Sequence, residues 1–298
     1  MTFSIVIPTK NRPVELASIF DSILVQNRLP DQIIIIDQSI PENTMKDKMI
    51  PLAKNAGIKL DYIITEKIKG LVQAKATSIQ YNICDYISFF DDDIVLEKHY
   101  FQKIQDVLIE NPSIIGVNGH ILNYPKISRL KKIIFKITHR GLFKDNRIER
   151  QLQLIYNYEN KVSLSVLSGG LSTWKKNVFE RVKFDVYNNF HAYEDQEFSI
   201  RVKREFSNNL YLVPEAKLYH YHSIINRNSL IDKYERDLIE VFKIYKKNKD
   251  MKGSLFSLLI LLLGLLANAI LLSIKEKEIK IITNYFKGLT RGYGLIIK

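Results

Sequence analysis

Cysteine is almost absent from this sequence of 298 residues. The single thiol, Cys84, excludes a disulfide framework, a CxxC redox pair and a cysteine zinc site. Residues 1–8 also lack the basic start and the long apolar core of a secretory signal. We therefore expect a reducing, cytoplasmic environment for the folded part of the chain.

Glycine-rich phosphate-binding motifs are missing as well. There is no GxxxxGK[ST] loop, and the only GxG run, residues 292–294, lies near the C-terminus rather than after a strand. A P-loop or a dinucleotide-binding fold is therefore unsupported.

Acidic residues are the minority charge, with 32 Asp and Glu against 44 Lys and Arg and a net charge of +12. This excess favours an anionic partner. Its densest part, residues 126–150, carries no nucleic-acid motif, so no nucleic-acid partner is expected. Within it, residues 130–137 have one apolar helical face, which suits either a membrane-surface helix or a charged helix packed on its own domain.

What is present is an alternation of strand and helix patterns. Continuous apolar runs predict strands at 3–7, 32–37, 59–65 and 86–90, and helical spacing predicts helices between them. This order is typical of an α/β fold with a mostly parallel sheet and flanking helices. Ligands bind beyond the carboxyl ends of such strands, so we expect Thr9, Asp37 and residues 91–93 along one crevice.

Three consecutive carboxylates, Asp91, Asp92 and Asp93, follow the fourth predicted strand. Like charges repel, so the cluster invites solvent or a hard cation such as Mg²⁺ or Mn²⁺. In an extended segment Asp91 and Asp93 point to one side and Asp92 to the other. A solvated turn is the alternative, but the uninterrupted apolar strand before the cluster favours a metal site.

Three later segments also contain candidate site residues. Residues 168–174 (SGGLSTW) predict either a simple tight turn or a turn that a ligand approaches closely, with unusual φ at its glycines. Glu194 and Asp195 open a predicted helix running to about residue 206, where acids are often caps. His220 and His222 are expected on one face of a strand over 210–222.

The C-terminal part predicts membrane association. Residues 254–274 carry no charge and are long enough, at about 20 residues, to cross a bilayer. Lysines flank both ends, so spanning and shallow embedding both remain open. Residues from about 279 to 293 form a basic amphipathic pattern suited to a membrane interface.

Taken in order, these segments resemble the family 2 glycosyltransferases with the GT-A fold. IVIPTKNRP is similar to the opening strand and nucleotide loop, IIIIDQS to the second strand and FFDDD to the DxD metal motif. GLVQAKA resembles the helix start that normally reads GxxxARN, and SGG with YEDQEFSIRV resembles the acceptor loop and the ED motif. KLYHYHSIINR resembles the segment that in many members supplies a histidine to the metal.

The resemblance implies a role for each candidate residue. Asp195 would be the catalytic base, with Glu194 as the fallback, and the metal Mg²⁺ or Mn²⁺ would be held by Asp91, Asp93 and His220. Donor-nucleotide contacts are implied for Pro8, Thr9, Asn11, Arg12, Asp37, Gln38, Gly70, Lys75, Asp91 and Asp92, and acceptor contacts for Gly169, Gly170 and Trp174. Two residues depart from the family pattern, since Gln38 stands where a second acid is common and Lys75 where an arginine is common.

The function that follows is an inverting, metal-dependent transfer of a hexosyl or deoxyhexosyl group from a UDP- or dTDP-sugar. The expected acceptor is a hydroxyl of a glycan or lipid-linked molecule in surface polysaccharide synthesis. Residues 1–228 would form the GT-A catalytic domain on the cytoplasmic face, and residues 229–298 a helical region in contact with membrane lipids. A sugar nucleotidyltransferase, a metal-dependent phosphohydrolase and a non-catalytic membrane scaffold are the alternatives.

Overall fold

The computed structural model describes residues 1–40, 45–124, 128–140, 161–188, 193–207, 209–223, 225, 230–251 and 255–297. Its strands are β1 (Phe3–Thr9), β2 (Gln32–Asp37), β3 (Lys59–Ile64), β4 (Tyr86–Phe90), β5 (Ile94–Leu96), β6 (Gly116–Ile121), β7 (Val162–Ser163), β8 (Leu171–Lys175) and β9 (Leu210–His220). Its helices are α1 (Pro13–Leu24), α2 (Met45–Asn55), α3 (Leu71–Ser78), α4 (Tyr100–Glu110), α5 (Arg129–Arg140), α6 (Val178–Arg181), α7 (Glu194–Phe206), α8 (Leu230–Lys247), α9 (Leu255–Glu276) and α10 (Lys280–Ile297).

All nine strands belong to one sheet, in the order β3-β2-β1-β4-β8-β6-β9-β5, with β7 added to β9. The pairings from β3 to β4 are parallel, whereas β8 lies antiparallel between β4 and β6. Strand β9 is parallel to β6 and antiparallel to β5 and β7. Six strands therefore share one direction and three oppose it, which confirms the predicted mixed, mostly parallel α/β sheet.

Hydrophobic side chains cover both faces of this sheet. On one face Ile5 and Ile7 of β1 pack in a cluster with Leu16 of α1, and on the other face Val6 packs in a cluster with Phe198 of α7. Every residue of β1 and β2 is buried, which explains their uninterrupted apolar sequences.

Several boundaries differ from the sequence prediction. Strand β5 follows the acidic cluster directly, and residues 171–174 of the predicted turn belong to β8. Strand β9 ends at His220, so His222 lies outside it with a left-handed φ of 52°. Residues 126, 127 and 141–150 of the basic stretch lie outside the described residues, and residues 128–140 contain α5.

The C-terminal helices pack against one another. Side chains of α8, α9 and α10 share one hydrophobic cluster, which includes Leu238, Leu258 and Tyr285. Helix α9 is long and apolar enough to cross a membrane by length and composition. The predicted boundary at residue 228 lies outside the described residues, but α8 contacts α7 through the ion pair between Lys247 and Glu197 at 2.6 Å.

Candidate active site

Two carboxylates and one imidazole meet at the carboxyl end of β4. The antiparallel pairing of β5 with β9 places His220 opposite Ile94, the residue that follows the acidic cluster. The Nε2 atom of His220 lies 2.9 Å from Oδ1 of Asp93 and 3.8 Å from Oδ2 of Asp91. One possible ligand atom from each of these three residues lies within 4.8 Å of the others.

This donor set suits a divalent cation. Carboxylate oxygens with one imidazole are ligands that Mg²⁺ or Mn²⁺ accepts. Burial alone would raise the pKa of Asp93, but the hydrogen bond and charge of His220 and the backbone N–H of Ser223 lower that pKa to about 2. Asp93 is therefore ionised at neutral pH, as a metal ligand must be.

Asp92 faces the other way. Its two carboxylate oxygens accept hydrogen bonds from Oγ1 of Thr9 at 2.7 Å and from Nη1 of Arg12 at 2.8 Å. The side chain is almost fully buried, and this burial raises the pKa of Asp92 to about 6 despite the two donors. Asp92 thus ties the end of β4 to the loop after β1, as the alternation of side chains predicts for the three acids.

Residues predicted to contact the donor nucleotide lie close together at the adjoining ends of β1 and β2. Asp37 is fully buried and accepts hydrogen bonds from the backbone N–H of Ser39 and from the hydroxyl of Tyr62. Oε1 of Gln38 accepts the N–H of Gly70 at 2.9 Å. Pro8 is buried in β1, and the N–H of Asn11 donates to Ser39. These contacts organise the crevice from three separate loops.

A second acidic pair lies at the start of α7. Oε1 of Glu194 pairs with Nζ of Lys75 at 3.0 Å, and Lys75 is only 2% exposed. Oδ2 of Asp195 accepts the N–H of Gly169 at 3.2 Å. Burial and the neighbouring charge of Glu194 raise the pKa of Asp195 to about 6, although Lys75 acts in the opposite direction.

The turn formed by Gly169 and Gly170 lies between the two acidic groups. A Cβ atom on Gly170 would lie 2.0 Å from Oδ2 of Asp91, and one on Gly169 would lie 2.5 Å from Oε1 of Glu194. The expected unusual φ is wrong for both, because the left-handed glycines among the described residues are Gly57 and Gly70. The glycines are instead required because the side chains of Asp91 and Glu194 pack directly against their backbone.

A sequence profile of glycosyl transferase family 2 matches residues 4–183, more than half of the chain. The chain belongs to glycosyltransferase family 2. The profile covers the acidic cluster and both glycines but ends before Asp195 and His220. No curated protein sequence matches this family 2 chain.

Solved structures share the fold of this family 2 chain at low sequence identity. The mannosyltransferase PcManGT from Pyrobaculum calidifontis, in complex with GDP-Man and Mn²⁺, has a TM-score of 0.59 and 11% identity over 99% of this chain and 86% of its own. GalNAc-T7 with UDP, GalNAc and Mn²⁺ has a TM-score of 0.58 and 15% sequence identity over 87% of this chain. The structure of S. aureus TarS residues 1–349 has a TM-score of 0.53 and 12% sequence identity, over 96% of this chain and 89% of the TarS chain.

These likenesses confirm the GT-A fold. This chain spans 43% of the longer TarS structure and 53% of the GalNAc-T7 chain, so it corresponds to part of each.

Trp174, a predicted acceptor contact, lies in the interior of the family 2 domain. It is 3% exposed, its indole meets Phe198 edge-on at 5.2 Å, and its Nε1 donates to Oγ of Ser172. The indole lines a small recess together with Lys75 and Asp195. Trp174 therefore lies in the interior, beside Glu194 and Asp195.

The segment after β9 contributes contacts that the sequence did not reveal. Ser223 donates its N–H to Asp93 and its hydroxyl to Glu15 of α1, and Arg12 donates to the carbonyl of Ile225. The ring of exposed His222 lies 3.9 Å from that of His220. Serine in a loop carries no motif, so no local signal marks Ser223 as a partner of Asp93.

Proposed function

We propose that this glycosyltransferase moves a sugar from a nucleotide diphosphate to an acceptor hydroxyl with inversion at the anomeric carbon. The observation that carries the proposal is the separation of two acidic groups by one glycine turn. On one side Asp91, Asp93 and His220 form a group of metal-type ligands. On the other side Asp195 has a raised pKa of about 6.

One group of residues would act on the leaving group of the reaction, and the other would act on the nucleophile. A divalent cation held by Asp91, Asp93 and His220 would supply Lewis-acid neutralisation of the diphosphate. Asp195 accepts the proton of the acceptor hydroxyl while the hydroxyl oxygen bonds to the anomeric carbon. At the same time the bond between the anomeric carbon and the diphosphate oxygen breaks. Attack from the opposite face inverts that carbon, and such a base contributes about 10²- to 10⁴-fold in rate.

The donor is proposed to be a UDP- or dTDP-sugar of hexose or deoxyhexose type. Its nucleoside would contact the crevice at Thr9, Arg12, Asp37 and Gln38. The backbone N–H of Gln38 donates to the carbonyl of Thr9 across the ends of β1 and β2, and Thr9 and Arg12 both donate to Asp92. The GDP-Man named with PcManGT and the UDP named with GalNAc-T7 support a nucleotide-diphosphate donor, and the Mn²⁺ named with both supports a divalent cofactor.

The acceptor is proposed to be a glycan or lipid-linked hydroxyl in surface polysaccharide synthesis, at the cytoplasmic face of a membrane. Support comes from the connection between α7 and the apolar C-terminal helices. Oη of Tyr193 donates to Asp237 of α8 at 3.1 Å, and Lys247 pairs with Glu197. The helix that carries the base is thereby joined to the predicted membrane region.

Incubation of the purified protein with a panel of nucleotide sugars and Mn²⁺ tests the reaction. Slow release of nucleoside diphosphate by the unchanged protein supports the proposal. The Asp195→Asn variant should keep this slow release but lose transfer to an acceptor. Release of pyrophosphate would indicate nucleotidyl transfer, and release of inorganic phosphate would indicate a phosphohydrolase. No turnover and no donor binding would favour a non-catalytic scaffold.

A further inference from the structure

Helix α9 has two distinct faces along its whole length. One face packs into the C-terminal cluster through Leu258, Leu261, Leu265 and Ala269. The other face exposes large apolar side chains from the first turn to the last: Leu255, Phe256, Leu259, Leu263, Ile270, Leu271 and Ile274. With 22 residues, this exposed face extends over about 33 Å.

Helix α5 continues this apolar face. A Cβ atom on Gly264 would lie 2.5 Å from the side chain of Thr138, so the two helices touch at these positions. The neighbours of the contact pair, Leu263 and Ile137, are both exposed. Helix α5 also exposes Leu130, Ile133 and Ile134. We call the exposed apolar residues of both helices the α5–α9 surface.

The packing of α9 opposes a transmembrane orientation. Helix α8 carries nine charged residues among its 18 and lies against α9, where Nδ2 of Asn268 donates to Oη of Tyr234 at 2.7 Å. Helix α10 is joined to α9 by the hydrogen bond from Tyr285 to the carbonyl of Leu262. If α9 crossed the bilayer, the charges of α8 would enter the hydrocarbon, which is strongly unfavourable.

We propose that the α5–α9 surface lies within one leaflet of an anionic membrane, parallel to its plane, and that α9 does not cross it. Basic residues adjoin this surface on both helices, with Arg129 and Lys132 in the first turn of α5 and Lys275, Lys277 and Lys280 after the apolar part of α9. Their charge complements anionic lipid headgroups. The inference rests on the membrane association of the proposed function and is independent of the transfer chemistry.

Topology is tested by labelling in sealed membrane vesicles of known orientation. Cysteine is introduced at exposed positions on either side of the apolar part of α9, as Lys249→Cys before the helix and Lys275→Cys in its last turn, in separate full-length chains. The native Cys84 is 2% exposed, so the unchanged chain serves as the unlabelled blank. A membrane-impermeant maleimide is expected to label both variants from the same side. Labelling from opposite sides would show that α9 spans the bilayer and would overturn the proposal.

The contribution of α5 is tested with a matched pair of substitutions. Ile133 on α5 and Ile109 on α4 are 55% and 56% exposed. Binding to phosphatidylcholine vesicles containing phosphatidylglycerol should fall about tenfold or more in Ile133→Glu and remain unchanged in Ile109→Glu. Equal binding of both variants would remove α5 from the surface.

Two further outcomes separate the possible failures. In the first outcome, neither the variants nor the unchanged chain binds vesicles, and the chain forms a dimer in solution that Ile133→Glu dissociates. The surface would then be a contact between two copies of the chain, and the membrane proposal would be overturned. Turnover of the nucleotide-sugar donor, measured in detergent, reports on the transfer chemistry alone. If turnover were absent, the proposed transfer reaction would fail, but the labelling experiment would still test the orientation of α9.

Discussion

Asp93 and Asp195 are both aspartate carboxylates of the candidate active site, but their environments give them different pKa values. Asp93 is stabilised in its ionised form by His220 and by the N–H of Ser223, which lower its pKa to about 2. Asp195 lies beside the like charge of Glu194 in a buried position, which raises its pKa to about 6. The partners around each carboxylate therefore suit one to hold a cation and the other to accept a proton.

The largest expected effect comes from Asp195→Asn. Because an amide cannot accept the hydroxyl proton, transfer should fall by about 10²- to 10⁴-fold. The donor dissociation constant, measured by calorimetry with Mn²⁺, should stay unchanged. Asp21→Asn, an exposed position on α1, is the control. Retained transfer would assign the base elsewhere, with Glu194 as the next candidate.

The metal side is tested by comparing Asp93→Asn with Asp92→Asn. Loss of an ionised ligand should weaken Mn²⁺ binding by more than about 10- to 100-fold, the range for loss of an outer-shell partner. Asp92 is hydrogen-bonded to Thr9 and Arg12 and is not part of the group formed by Asp91, Asp93 and His220, so its variant should keep most of the metal affinity. Titration of Mn²⁺ by electron paramagnetic resonance measures both, and equal losses would contradict the division within the cluster.

Gly170→Ala changes the spacing between the two sides. The new methyl group would overlap the carboxylate of Asp91, so this ligand must shift and the KM for the metal–donor complex should rise about tenfold. Thermal unfolding should also show a loss of about 1–3 kcal/mol from overpacking. Gly294→Ala is the control, since a Cβ atom there meets nothing within 4 Å. Unchanged kinetics in Gly170→Ala would rule out this steric requirement.

The smallest effect is expected from Glu194→Gln, which removes the like charge beside Asp195. For the unchanged enzyme, kcat/KM should fall as the pH drops below about 6, because Asp195 must be deprotonated to act. In the variant the pKa of Asp195 decreases, so this acid limb moves to lower pH. Glu205→Gln, on the exposed end of α7, should leave the profile in place. A shift to higher pH would mean that Glu194 does not set the charge state of Asp195.

The parallel half of the sheet and the acidic cluster at its edge were predictable from local sequence. Strands β1, β2 and β4 are buried on both faces, so their apolar runs stand out, and the cluster directly follows β4. The contact between His220 and Asp93 was implied by family resemblance but not by any local pattern. It depends on the pairing of β5 with β9, and β5 has only three residues, too few to show a period.

The sequence by itself determined the α/β alternation, the position of the three acids at a strand end and the apolar character of α9, because each is written in neighbouring residues. Only the tertiary structure decided that β8 enters antiparallel between β4 and β6, which brings Gly170 against Asp91 and Gly169 against Glu194. It also decided which face of α9 is covered. Such contacts join segments far apart in the chain, and their energies come from packing and charge that no local pattern records.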